Sequence, residues 1–138
     1  MNILLDGIIH SGTFNGLKTG TSIHEFKSLY PAALACSISE TIFKIPPVQY
    51  SFSNDTLYFI SLKCYYPSMK FFFENTQVKI FHSIHALKAL LKSKNISFYE
   101  NKTFIDIGQI NLEVNACATF IYSVSETNEY ELAQIDSL

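Results

Sequence analysis

The sequence predicts an α+β fold in which a mainly antiparallel, twisted sheet of about five to seven strands packs with two helices, at about 22–30 and 83–93. Strand-forming residues are abundant, since the 138 residues include 12 Phe and 8 Tyr and 48% of the chain is hydrophobic. Helical patterns occur at two separate places, with runs of strand-like segments between and after them. A regular βαβ alternation is not present, so a parallel sheet is not expected.

The first helix is predicted by its capping residues. Ser22 and Glu25 have the spacing of a capping box. Phe26 continues an apolar stripe, and Pro31 ends the pattern. The preceding segment, "NILLDGIIHSG", alternates loosely and ends in glycine, which predicts a strand or a hairpin arm.

The second helix, "SIHALKALLKSKN", is predicted to begin after Ser83 as N-cap and to carry one apolar stripe. Strand signals lie between the helices, in "VQYSFS", "TLYFISLKCYY", "KFFFE" and "QVKIFH", with "SND" as a turn. Two more strands are predicted in "ISFYE" and "INLEVNACATFIYSV". A polar, acidic tail is expected from about residue 125.

The length predicts a single globular domain over residues 1–138. The most apolar region is interrupted by Lys63, Pro67 and Lys70, so no membrane span is expected. The amino-terminal segment lacks the basic start of a secretory leader. The three cysteines are an odd number at wide spacing, which favours reduced, mostly buried thiols and a cytoplasmic location: Cys36, Cys64 and Cys117.

The charges are distributed unevenly although the net charge is only −2. All ten basic residues are lysines; residues 1–99 hold nine of them with five acids, whereas residues 100–138 hold one lysine and seven acids. Because arginine makes most bidentate contacts to phosphate and guanine, its absence argues against specific nucleic-acid binding. The acidic end is either an ordinary solvated surface or a surface for a basic partner. In the second interpretation the partner-binding residues are Glu100, Asp106, Glu126, Glu129, Glu131 and Asp136.

No motif predicts catalysis, a cofactor or a metal. Gly12, Gly16 and Gly20 have neither P-loop nor dinucleotide-binding spacing, which favours a tight turn before the helix. His82 and His85 are three residues apart but lack further ligands at zinc-site spacing. No nucleophile elbow occurs. The clustered aromatic residues favour core packing over a stacking platform for single-stranded nucleic acid, because lysines are scattered among them.

The opening half of the chain combines a glycine-spaced turn, a capped helix with a glutamate and a pair of aromatic strands: Gly16, Leu17, Gly20, Ser22, Glu25, Tyr50, Phe52, Leu57 and Phe59. In these features the chain resembles the immunity proteins of bacterial polymorphic toxin and contact-dependent growth inhibition systems. The resemblance covers residues 7–62 well and 80–122 loosely.

The resemblance implies a non-enzymatic protein that binds a cognate toxin domain, most often a nuclease, and blocks its active site or substrate surface. It implies no cofactor and no direct contact with nucleic acid or membrane. Two alternatives remain open on the residues alone. One is a small enzyme or ligand-binding domain with an aromatic-lined pocket, and the other is a structural or adaptor module.

Overall fold

A computed structural model describes residues 1–36, 41–64, 68–101, 108–124 and 129–138. The helices are α1 Asp6–Ser11, α2 Ile23–Leu29 and α3 Ile84–Ser93. The strands are β1 Asn2–Leu4, β2 Leu34–Ala35, β3 Ile42–Ile45, β4 Val48–Ser53, β5 Thr56–Lys63, β6 Lys70–Phe73, β7 Thr76–Val78, β8 Phe98–Asn101, β9 Gln109–Val114, β10 Ala118–Val124 and β11 Tyr130–Ser137. Within these ranges, no helix has both the length and the apolar composition needed to cross a membrane.

The described strands form two sheets, and the predicted α+β class is confirmed. The large sheet has the order β2-β3-β4-β5-β11-β10-β9-β8, and its neighbours are all antiparallel. Without the two-residue β2 it has seven strands, the upper end of the predicted number. The small sheet has the order β1-β6-β7, with β1 parallel to β6.

Both predicted helices are present, and Ser22 and Ser83 are their N-caps. The Ser22 hydroxyl accepts a hydrogen bond from the Glu25 amide at 3.1 Å, and the Ser83 hydroxyl accepts one from the Ala86 amide at 3.0 Å. The α3 helix buries one stripe, formed by Ile84, Leu87 and Leu91. The predicted turn between β4 and β5 is a two-residue hairpin loop, in which both residues have positive φ, as the twist of a hairpin favours.

The predicted strand or hairpin arm at the amino terminus is wrong beyond Leu4. Residues Asp6–Ser11 form α1, which buries the adjacent Ile8 and Ile9. Two consecutive buried residues do not fit a half-exposed strand, because successive strand side chains point to opposite faces. Gly12 ends the helix with φ of +67°, so glycine acts here as a helix C-cap.

The predicted polar tail is also wrong where the structure describes it. Residues Tyr130–Ser137 form β11, which lies between β5 and β10 in the interior of the large sheet. Leu132 and Ile135 are buried in the core, whereas polar side chains of the same strand lie on the other face. Residues 125–128 lie outside the described residues.

The aromatic residues pack mainly as core, as the sequence predicts. The ring of Phe26 on α2 lies 5.3 Å from that of Phe43 and 5.1 Å from those of Tyr50 and Phe52. These separations are typical of stabilising aromatic pairs. Helix α2 therefore packs on the β3–β4 part of the large sheet through one buried phenylalanine.

The other helices lie on the same face of the large sheet, which we call the inner face. The Tyr122 hydroxyl of β10 donates to the Ile80 carbonyl just before α3 at 2.7 Å. Lys88 of α3 contacts Glu100 of β8 at 3.1 Å. Ile8 of α1 lines a cleft together with Val48 and Leu62, whose side chains point inward from β4 and β5. The opposite, outer face of the sheet therefore faces away from the described helices.

Candidate protein-binding face

The outer face carries a continuous row of mostly polar side chains that crosses seven strands. In the strand register, each residue of the row lies directly opposite the row's residue on the neighbouring strand. Directly opposite residues point to the same face of a sheet, so the whole row lies on the outer face. From β3 to β8 the row is Lys44, Gln49, Ser61, Asp136, Thr119, Glu113 and Tyr99.

A hydrogen-bond network fixes the centre of this face. The Ser61 hydroxyl donates to Asp136 Oδ1 at 2.5 Å, and the side-chain nitrogen Nε2 of Gln134 donates to Asp136 Oδ2 at 2.8 Å. Lys63 Nζ donates to the side-chain oxygen Oε1 of Gln134 at 3.0 Å. Because both carboxylate oxygens accept hydrogen bonds, Asp136 is held in one orientation across the β5–β11 junction.

The part of the outer face on β8, β9 and β10 is more accessible. Its edge carries Tyr99, whose side chain is 65% exposed beside the Glu113 carboxylate of the neighbouring strand. Gln109 and Asn111 point outward from β9, where their amides are joined by a 2.9 Å hydrogen bond. We call this surface the β8–β10 face; it consists of Tyr99, Asn101, Gln109, Asn111, Glu113, Thr119, Ile121 and Ser123.

The six predicted partner-binding acids do not form one patch. Glu100 lies on the helix side of the sheet, paired with Lys88. Asp136 is 9% exposed and satisfied within the sheet, so its carboxylate is a structural group. Asp106 and Glu126 lie outside the described residues.

Glu131 lies at the start of β11, two residues after Glu129 in the sequence. Register places Glu131 beside Ser123, on the outer side of the sheet. Its carboxylate lies 3.7 Å from the His82 ring nitrogen, and both side chains are substantially exposed. Of the four predicted acids that the structure describes, Glu131 lies beside the β8–β10 face.

The cysteines differ in accessibility, so the expectation of mostly buried thiols holds only for one of them. Cys64 is buried, Cys36 is exposed, and Cys117 is intermediate. Burial raises the pKa of the Cys64 thiol to about 12, and the nearby Asp136 carboxylate adds to the shift. Cys64 therefore stays protonated at neutral pH.

Two buried tyrosines are similarly held in their neutral form. Burial raises the pKa of Tyr50 to about 12, although the hydrogen bond from the Asn15 amide partly opposes the shift. Burial also raises the pKa of Tyr122, whose hydroxyl donates to Ile80. Both tyrosines are core residues with structural hydrogen bonds, so their raised pKa values reflect burial in the core.

The glycines and His10, which the sequence offers as candidate site residues, have structural roles in the described part of the chain. Gly16 and Gly20 have φ of +79° and +100°, values that favour glycine, and so form the turn expected before α2. The His10 ring packs against Phe73 at 5.4 Å. Among the residues described, no three His, Cys, Asp or Glu side chains cluster as metal ligands would.

Comparisons of the chain with protein-family models, with curated proteins and with solved structures give no match.

The sequence alone does not predict the β8–β10 face. The segment "QINLEV" did carry a signal, because its apolar residues alternate with Gln109, Asn111 and Glu113. That alternation identifies which side chains leave the core. It does not identify the neighbouring strands. Only the structure shows that Glu113 lies beside Tyr99 and Thr119.

Proposed function

We propose that this protein is an immunity protein that binds a cognate toxin domain and neutralises it without catalysis. The observation that carries the proposal is the outer face of the large sheet. On this face, paired strands and a hydrogen-bond network support the exposed side chains of the β8–β10 face. A binding surface on paired strands is preorganised, so little conformational entropy is lost when a partner docks.

The composition of the β8–β10 face suits a protein partner. Tyrosine is enriched among residues that contribute most to protein–protein affinity, and Tyr99 is largely exposed at the edge of the face. The surrounding amide and hydroxyl side chains provide hydrogen-bond donors and acceptors for a polar rim. We therefore expect Tyr99 to be a main contact residue for the toxin.

A nuclease is the class of toxin that the charges favour. Nucleases hold phosphate on basic surfaces, and carboxylates opposite such a surface increase the rate of association. Glu113 lies within the β8–β10 face, and Glu131 lies beside Ser123 at its margin. The toxin's basic substrate surface would be covered by this side of the sheet.

The proposal is tested by capture followed by a protection assay. The full-length, tagged protein is used to purify its partners from the native strain, and each captured polypeptide is dissected into domains. We expect one carboxyl-terminal domain to kill cells when expressed alone and to be harmless when this protein is co-expressed. Killing that is undiminished by co-expression for every captured domain would contradict the proposal.

A further inference from the structure

Strand β1 has one edge that is available for pairing. It is hydrogen-bonded to β6, with the Lys70 amide donating to the Met1 carbonyl at 2.9 Å and the Leu5 amide donating to the Phe72 carbonyl at 2.8 Å. Parallel pairing in this register directs the backbone groups of Ile3 toward β6 and those of Asn2 and Leu4 away from it. Along the described ranges, no strand pairs with that second edge.

A cleft of about 440 Å³ adjoins this edge. One wall consists of β1 and the start of α1, including Ile3 and Ile8. The other wall contains Pro46 and Pro47 of the β3–β4 turn, with Leu62 of β5 nearby. This volume lies within the range of pockets that bind small molecules, about 300–1,000 Å³.

The chemistry of the cleft selects its occupant. Its described lining contains no acidic or basic side chain, and the amino group of Met1 donates to the Ser68 carbonyl at 3.4 Å, so an apolar side chain can be buried there beside Ile3 and Leu62. The two prolines have no amide hydrogen, so they present no backbone N–H to an entering chain. On the β1 wall, the outward backbone groups of Asn2 and Leu4 can hydrogen-bond to an extended occupant.

We propose that an extended, uncharged segment of a protein partner adds to the outer edge of β1 as a further strand and places one apolar side chain in the cleft. Such strand addition satisfies the outward backbone groups, and the cleft gives side-chain specificity. Leu4, which is 68% exposed beside the edge, supplies an additional apolar contact. This inference is independent of the proposed function and concerns the opposite side of the molecule from the β8–β10 face.

A second copy of the chain fits the site less well than a peptide segment does. Pairing two three-residue strands would bury much less than the roughly 1,600 Å² of a standard stable interface. It would also leave the cleft to be filled by a side chain of another β1, which is itself fixed against β6. A flexible segment can both pair with the backbone of the β1 edge and place a side chain in the cleft.

The test uses linear ten-residue peptides selected from a random phage-displayed library on the full-length protein. The tightest peptides are synthesised, and their affinities are measured by calorimetry for the wild type, Leu4→Ala and Leu4→Pro. Both substitutions remove the leucine side chain, but only proline also removes the outward amide hydrogen. We expect Leu4→Pro to bind at least about tenfold more weakly than Leu4→Ala, with both variants folded by circular dichroism.

Methylated peptides test the same geometry without changing the protein. In an added strand only alternate amides point toward β1, so N-methylation of one alternate set is expected to abolish binding and methylation of the other set to preserve it. Equal effects of the two sets would overturn the proposal, as would equal binding to the folded Leu4 variants. Failure of the library to yield any peptide with a Kd below about 1 mM would also overturn it.

Discussion

Asp136 shows why an acidic residue near the end of this chain is not automatically a surface charge. Its two carboxylate oxygens accept from Ser61 and Gln134, and the side chain is almost fully covered. The sequence predicts its charge but not its burial, because its partner Ser61 on β5 lies 75 residues away along the chain.

We predict that Asp136→Ala lowers the free energy of unfolding by about 2–3 kcal/mol, because it leaves the Ser61 hydroxyl and the Gln134 amide without their acceptor. Asp136→Asn, which keeps one acceptor oxygen, is expected to cost less. The matched control is Glu113→Ala on the same row, with an expected change within about 0.5 kcal/mol. Urea unfolding measures all three, and equal stabilities for Asp136→Ala and Glu113→Ala would contradict the structural role.

The cysteines are predicted to react in the order of their exposure. Only the thiolate reacts with alkylating reagents, and burial raises the pKa of Cys64 to about 12. At pH 7.5 we therefore expect a short pulse of N-ethylmaleimide to modify exposed Cys36 and to leave Cys64 unmodified, as followed by peptide mass spectrometry. In denaturant all three cysteines should react, and modification of native Cys64 as rapidly as Cys36 would refute its burial.

The elements divide into those determined locally and those determined by distant partners. Helices α2 and α3 are predictable because Ser22 and Ser83 cap amides three residues later in the same segment. Helix α1 is short, and its Ile8 and Ile9 are buried by other elements, so its local pattern is ambiguous. Strand β11 is harder still, because its polar residues find hydrogen-bond partners only after the sheet has formed.

Strand β11 is predicted to be indispensable, in contrast to a dispensable tail. A chain ending after residue 128 lacks the strand that joins β5 to β10, and it loses the core residues Leu132 and Ile135. We expect this truncated chain to show no cooperative thermal transition by circular dichroism. Removal of Leu138 alone, which is exposed beyond the strand, should leave the transition nearly unchanged. A native-like melt of the longer truncation would contradict the sheet order.

In the whole molecule, the described helices lie on one face of the large sheet, and the other face presents a polar row. The α+β class was predictable from composition and from the two isolated helix patterns. The candidate site was not, because it depends on strand order. Glu113 and Tyr99 come from different strands, and only their pairing makes them neighbours.

The charges on this side are predicted to accelerate binding to a basic toxin. Replacing both Glu113 and Glu131 with glutamine should slow association with the captured toxin domain and weaken the salt dependence of the association rate. Glu25→Gln on α2 is the control, because that residue is exposed on the helical side of the molecule. Stopped-flow association from 50 to 500 mM salt gives the comparison. Rates for the double variant equal to those of wild type would rule out this electrostatic contribution.

The most direct test compares the toxin affinities of two tyrosine variants. Tyr99 and Tyr58 are exposed to similar extents, 65% and 61%, but lie on strands four positions apart in the large sheet, about 19 Å across it. By calorimetry with the captured toxin domain, Tyr99→Ala is predicted to bind at least about tenfold more weakly than wild type, and Tyr58→Ala within about threefold of it. Wild-type affinity for Tyr99→Ala, in a variant that folds normally, would contradict the placement of the toxin on the β8–β10 face.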